Sequence, residues 1–218
     1  NSRFTVSAKN YPSYAKEAEE ATGVPIDAII FGGRRPSLIR LVYEANNWDH
    51  GVLVGASVGS ETTAAQAGAV GVMRRDPMAM KPFCGYNFAD YFSHWLSFSE
   101  KSDKLPKIFH VNWFRQDDGK FLWPGFGENI RVLDWILKRC TGDADALRTP
   151  IGMIPTKGDI NTDGLEVTES TMNKLFEIDK DGFKSEMNNV EKFLDSFGDR
   201  APNRLKTQLT KILSDLND

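Results

Sequence analysis

The chain has 218 residues, with 27 basic and 30 acidic side chains and a formal net charge of −3. Its pI of about 5.7 leaves no electrostatic footprint for nucleic acid or an anionic membrane surface, so any phosphate site must be a local arrangement of Arg and Lys. With 40% hydrophobic and 26% charged residues, it has the balance of a globular protein, long enough for one large domain or two small ones.

In chain order, the sequence opens on Asn1 rather than Met. No signal peptide precedes the first elements, and a fragment of a longer polypeptide is expected. Tyr14 to Thr22 (YAKEAEEAT) has helix-forming composition and stops at Gly23. Ile26 to Phe31 (IDAIIF) reads as a buried strand entering a tight turn at Gly32-Gly33. Gly51 to Val58 (GVLVGASV) reads as a second buried strand. Gly59 to Gly71 is rich in Gly, Ala, Ser and Thr without apolar periodicity and reads as a mobile loop, with alanines that would also suit a short helix.

Asn87 to Phe98 spaces Phe88, Tyr91, Phe92, Trp95 and Leu96 as an amphipathic helix does. Lys107 to Phe114 (KIFHVNWF) alternates like a strand, and Gln116 to Gly119 reads as a hairpin turn. Asn129 to Cys140 reads as a helix with Ile130, Leu133, Ile136, Leu137 and Cys140 on its apolar face and Lys138 and Arg139 in the last turn. From Thr168 onward three helical stripes follow: Met172, Leu175 and Phe176; Phe183, Met187, Val190 and Leu194; then Leu205, Leu209, Ile212 and Leu216. No apolar run is long enough to span a bilayer.

Three stretches could carry chemistry. In Phe31 to Pro36 (FGGRRP), two glycines turn the chain and two arginines stand at a strand end, where guanidinium groups suit bidentate recognition of phosphate or carboxylate. The same residues also fit a solvent-facing loop with a surface salt bridge. Asn1 to Phe4 (NSRF) carries no meaning alone. The third stretch pairs Asn112-Trp113-Phe114 with Phe121 to Asn129 (FLWPGFGEN), in which two aromatic planes facing each other would stack a purine, with Asn129 reading its edge. From the residues alone a satellite hydrophobic cluster under a loop is the favoured reading of this stretch, and Trp123 is read as core.

His50, His94 and His110 show no metal-ligand spacing and read as satisfied structural histidines. Cys84 and Cys140 read as core residues, and their small number favours a reducing, intracellular setting. The chain has no Gly-rich loop followed by Lys-Ser/Thr.

Taken together and in order, NSRF, GVPIDAIIFGGRRP, DPMAMKPFCGYNF, LPKIFHVNWFRQDDGKFLWPGFGENIRVLDW and TPIGMIP resemble the C-terminal part of GTP-dependent phosphoenolpyruvate carboxykinase. The resemblance implies the nucleotide-binding portion of that α/β (mixed α+β) fold over residues 1-218: a mixed sheet with flanking helices and a helical tail at 168-218. It places a mobile lid at 59-71 and a guanine-recognition hairpin, loop and helix at 107-140.

The implied reaction turns oxaloacetate and GTP into phosphoenolpyruvate, CO2 and GDP by decarboxylation and phosphoryl transfer to the enolate, the first committed step of gluconeogenesis. It uses Mn2+ at the active site and Mg2+ on the nucleotide, with no metal ligand supplied by this chain. By the same resemblance, Asn1, Ser2 and Arg3 contact substrate, and Arg3 and Arg34 are catalytic and reach the phosphates. Phe114, Phe121 and Phe126 surround guanine, Gly127, Glu128 and Asn129 complete base recognition, and Ser60 and Glu61 belong to the lid.

The family carries an arginine at the position of Gly59 and a basic lid end at Gln66 to Gly68. A weaker closed lid is therefore expected here, and an arginine restored at Gly59 should raise kcat. The family's phosphate loop and Mn2+ ligands lie upstream of Asn1, which implies that the 218-residue chain is inactive alone. A cytoplasmic monomer is expected, with a mitochondrial form left open. The alternative is a non-catalytic purine-nucleotide-binding module or pseudoenzyme.

Overall fold

The computed structural model describes residues 6–62 and 70–218. A five-stranded mixed sheet organises the chain. Its strands are β1 (Ala28–Gly32), β2 (Val42–Glu44), β5 (Lys107–Val111), β8 (Leu147–Thr149) and β9 (Gly152–Ile154), in the order β1-β5-β2-β9-β8. β1 runs parallel to β5, and the remaining neighbours are antiparallel. Two short hairpins project from this sheet: β3 (Gly59–Glu61) with β4 (Met73–Arg75), and β6 (Gln116–Asp117) with β7 (Lys120–Phe121).

Alternation along β5 explains why both sheet faces are covered. Ile108 joins a core built from α1 (Trp48–Ala56), α2 (Phe88–Ser97), α5 (Lys180–Asp195) and α6 (Asn203–Asp215). Phe109 and Val111 join the opposite core with Trp123, Trp135 of α3 (Asn129–Thr141) and Leu175 of α4 (Glu169–Phe176). The three C-terminal helices form as their stripes predict, and α5 and α6 build one of the two cores.

Four expectations change. Residues 51–56 are helix, not strand: Asn47 caps α1 by accepting a hydrogen bond from the His50 amide, and every residue from His50 to Ala56 is buried. A fully buried apolar run shows no period, so pattern alone does not separate the two structures. Gly51 and Gly55 let α1 lie directly on the sheet, since a Cβ at Gly51 would stand 2.5 Å from the Ile108 side chain and one at Gly55 2.6 Å from the Phe31 ring.

The helix read over Tyr14 to Thr22 is only a 3-10 turn at Lys16–Glu19 with no buried residue, because a short acidic segment without an apolar face has nothing to pack. β1 is an edge strand with Ile30 41% exposed, not a buried one. On α3 the buried residues are Val132, Trp135 and Ile136, while Ile130 and Leu137 face outward.

Candidate functional site

β1 ends at Gly32, and the next five residues fold back between β5 and the base of the β3–β4 hairpin. A Cβ at Gly33 would stand 2.3 Å from the Gly59 carbonyl oxygen, so only glycine permits this approach. The main chain of Arg34 is then fixed from both sides. Its amide donates to Ser60 Oγ (3.1 Å), and its carbonyl accepts from the Glu61 amide (2.9 Å). The Arg34 guanidinium carbon lies 4.1 Å from the centre of the Phe114 ring. Arg34 therefore meets Ser60 and Glu61 through its main chain and Phe114 through its guanidinium.

Two polar side chains, Asn112 buried and Glu186 half-buried, brace this point, and the sequence assigned neither of them this role. The Asn112 side chain is 1% exposed. Its Nδ2 donates to the carbonyls of Arg35 (2.8 Å) and Ile39 (2.9 Å), while its Oδ1 accepts from the amides of Arg35 (3.3 Å) and Phe114 (3.2 Å). One amide thus ties the arginine turn to the aromatic residue. The available signal was an asparagine directly after the apolar alternation of KIFHV.

The second brace is Glu186 on α5, which accepts from Arg35 Nη1 and Arg75 Nη1, both at 2.9 Å. Burial pushes its carboxyl up, but the hydrogen bond from Arg35 and the charges of Arg35 and Arg75 outweigh that and hold it below the ordinary range. This cluster joins the arginine turn, the hairpin base and the C-terminal helices. It also makes Gly59 a crowded position, because a Cβ there would lie 3.0 Å from Arg35 Nη1 and Met73 Sδ. An arginine placed at Gly59 would therefore have to displace these two side-chain ends.

The aromatic stretch is more open. Phe114 and Phe121 meet edge to face, with centroids 6.2 Å apart and planes at 71°. They are not the two facing planes expected, and Arg34 already covers one side of Phe114. Phe121 is 54% exposed and Phe126 95% exposed. Gly125, with φ of +111°, takes the chain into this exposed turn. Glu128 accepts from Arg131 Nε (2.6 Å). Asn129 Oδ1 accepts from the Trp123 indole (2.9 Å), which leaves its Nδ2 as the atom free to face a base edge. Trp123 is buried, as a core residue.

Asn1, Ser2 and Arg3 lie outside the described residues, as does 63–69 of the expected lid. The described parts of that segment are ordered by pairing: Ser60 faces Arg74 in the β3–β4 ladder, and the Gly71 amide donates to the Thr62 carbonyl (2.9 Å). Among the described residues, no three His, Cys, Asp or Glu side chains group to hold a metal ion.

The histidines differ from one another. His50 is buried and its Nδ1 accepts from the Asn46 amide, whereas His94 is exposed against Phe98. His110 is buried against Tyr43, but its Nδ1 has no partner, so it is not a satisfied histidine. Burial lowers His50 to about 4 and His110 to about 3. Neither cysteine is fully buried.

These features define a mixed α/β domain that presents an anchored arginine beside an exposed aromatic ledge. The family model described as phosphoenolpyruvate carboxykinase C-terminal P-loop domain matches residues 1–215, and the chain belongs to that family. It is similar to phosphoenolpyruvate carboxykinase (GTP) of Chlamydia trachomatis serovar D, with 50% identity over 218 residues, 99% of this chain and 36% of that protein. The enzyme of the same name from Thermoplasma volcanium is 52% identical over 207 residues, covering 94% of this chain and 35% of the relative. That of Neocallimastix frontalis is 50% identical over 215 residues, covering 97% and 35%. The chain thus spans a little over a third of the length of these relatives. Among the described residues, no helix is long and apolar enough to cross a membrane.

Proposed function

We propose that this chain is the nucleotide-recognising C-terminal part of a GTP-dependent phosphoenolpyruvate carboxykinase that acts as a cytoplasmic monomer. In the reaction, the bond between the oxaloacetate methylene carbon and its carboxylate breaks. CO2 leaves, and the electron pair remains as an enolate. The enolate oxygen then attacks the γ-phosphorus of GTP, and the bond to the β-phosphate oxygen breaks to release GDP.

Within this chemistry Arg34 binds the terminal phosphate and offsets charge as the phosphoryl group transfers. Asn1, Ser2 and Arg3 contact the carboxylated substrate, and Arg3 also reaches the phosphates. Phe114, Phe121 and Phe126 cover the guanine, with Gly127 and Glu128 shaping the turn and Asn129 Nδ2 donating to the base edge. Ser60 and Glu61 begin the lid over residues 59-71, which excludes water from the enolate. The recognition segment is 107-140, and 168-218 supports it from behind. Mn2+ and Mg2+ supply charge neutralisation in such enzymes. The described side chains here do not form a set to hold either ion, and no step is routed through them.

One observation carries the reading: Arg34 packs on Phe114 while its main chain is bonded to Ser60 and Glu61. The groups proposed for phosphate, base and lid therefore share one anchor. The test is phosphoenolpyruvate formation by the intact protein with Arg34→Ala. Loss of kcat by about 10²–10³-fold is expected for a removed charge-stabilising donor. Unchanged turnover would overturn the role. If the unsubstituted protein quenches its tryptophan fluorescence with GTP but forms no phosphoenolpyruvate, a non-catalytic binding module replaces the enzyme reading.

A further inference from the structure

A cavity of about 350 Å³ opens between α4 and the loop that joins β9 to it, against about 40 Å³ for the pocket behind Arg35. Pro155, Ile160, Val167, Met172 and Phe176 give it apolar walls. Ile160 is 4% exposed and belongs to the core that contains Trp123, and Met172 and Phe176 pack on the same core. Small-molecule sites have this size and this lining, mostly apolar with a few converging polar groups.

The loop wall supports itself. Asp159 Oδ2 accepts from the Thr156 amide (2.6 Å) and hydroxyl (2.7 Å), Asn161 Oδ1 accepts from the Asp163 amide (2.8 Å), and the Leu165 amide donates to the Thr162 carbonyl (3.0 Å). These bonds fix the loop locally, so the shape of the cavity does not depend on an occupant.

The lining also describes what would fit. Its two charged groups, Lys157 and Glu169, are opposite in sign and paired with each other at 2.7 Å, so the walls present no net charge. The Thr162 hydroxyl and the Asn173 amide make no hydrogen bond to another described residue, and together they offer donors and acceptors. An uncharged, mainly apolar molecule with an amide-like head matches that set.

Both walls run to the base-recognition ledge. The carbonyl of Asn161, between Ile160 and Thr162, accepts from Arg131 Nη1 (3.0 Å), and Arg131 Nε donates to Glu128 (2.6 Å). On α4, Lys174 pairs with Asp117 of the β6–β7 hairpin that carries Phe121. An occupant that fills the space between the walls fixes their spacing, and so pre-orders the exposed segment that closes on a base. We propose that this cavity is an effector site for an uncharged, mainly apolar small molecule with an amide-like head, and that its occupancy tightens GTP binding at the ledge. The proposal rests on the base-recognition reading of residues 107-140.

Crystals of the intact protein soaked in para-bromobenzamide test the site directly. The expected result is an anomalous bromine peak among Val167, Met172 and Phe176, with the amide of the probe in hydrogen-bonding reach of Asn173. In solution, GTP is titrated by tryptophan quenching with and without the probe. The Kd for GTP should fall about fivefold at saturating probe, and GTP should tighten the probe by the same factor. Val167→Trp fills the cavity and removes the effect, and Asn173→Leu, at an exposed position, weakens the probe where Val167→Trp fails to fold. No bromine in the cavity, a segment of the intact protein already filling it, or an unchanged Kd for GTP with the probe bound would overturn the proposal. Absence of any quenching by GTP is the separate result that overturns the base-recognition reading, and the proposal falls with it.

Discussion

Behind Arg34 the chain is held by buried and half-buried polar groups, whereas Phe121 and Phe126 stand in solvent on a two-residue strand and a single 3-10 turn. Asn112 makes four hydrogen bonds at the first place, and Glu186 binds two arginines there. At the second place the side chains of the base-recognition run are held more sparsely, Asn129 by the Trp123 indole and Glu128 by Arg131. The contrast fits the tasks proposed for the two regions. Charge stabilisation requires donors that do not reorganise during the reaction, whereas a flat base can be gripped by rings that close on it. Substitutions behind Arg34 should therefore act on stability, and substitutions on the ledge on nucleotide affinity.

The largest effect is expected from Glu186→Ala. It leaves Arg35 and Arg75, with side chains 9% and 16% exposed, facing each other without a counter-charge. Removing one partner of a fully buried pair costs about 3–5 kcal/mol, and this largely buried cluster should approach the lower end, visible as a large fall in melting temperature. A fall no greater than that of a surface substitution would break the contrast.

Acid should act next. His50 and His110 titrate at about 4 and about 3 in the folded chain, against about 6.5 when unfolded. Between these values the unfolded chain binds more protons, so stability is intact above about pH 6.5 and declines as pH falls toward the folded values. At pH 5 each histidine weakens the fold by about 2 kcal/mol. Melting followed from pH 7 to pH 5 measures this, and His110→Phe should flatten the slope. Glu186 has the sign of a depressed carboxylate: its contribution is lost only as pH falls below the ordinary carboxylate range.

Gly59→Arg is expected to destabilise by about 1–3 kcal/mol, because the new side chain must displace Arg35 Nη1 and Met73 Sδ at 3.0 Å. Gly59→Ala separates crowding from charge, and a higher kcat with unchanged melting would contradict the packing argument. The smallest stability change belongs to Phe126→Ala, within about 0.5 kcal/mol for a side chain 95% exposed. Its KM for GTP should nevertheless rise about tenfold, the loss of one stacked ring.

How much of this was legible in the sequence depended on whether burial was one-sided. α2, α5 and α6 each bury one stripe, and their apolar spacing located them. α1 is buried around its whole circumference, so its period vanished and its glycines looked like strand punctuation. On α3 the apolar residues outnumber those the core uses. Ile130 and Leu137 fall on the outer edge, and Trp135 was missed.

The site residues Arg34 and Phe114 could be flagged as residue types on promising turns. Their meeting could not, because it depends on Asn112 and on the approach of Gly33 to Gly59, contacts between segments far apart in sequence. Glu186 was hidden for the same reason, as one acidic residue among many on a C-terminal helix. The ledge geometry also had no local signal: spacing placed three phenylalanines near one another but not at 71°.

The central claim is that Arg34 serves the transferring phosphate while the exposed ledge serves the base. Steady-state kinetics of the intact protein with varied GTP, for Arg34→Lys against Phe126→Ala, test it most directly. The account predicts that Arg34→Lys lowers kcat with little change in KM for GTP, and that Phe126→Ala raises KM for GTP with kcat kept. Equal changes of kcat and KM in the two variants, or no change in either, would contradict it.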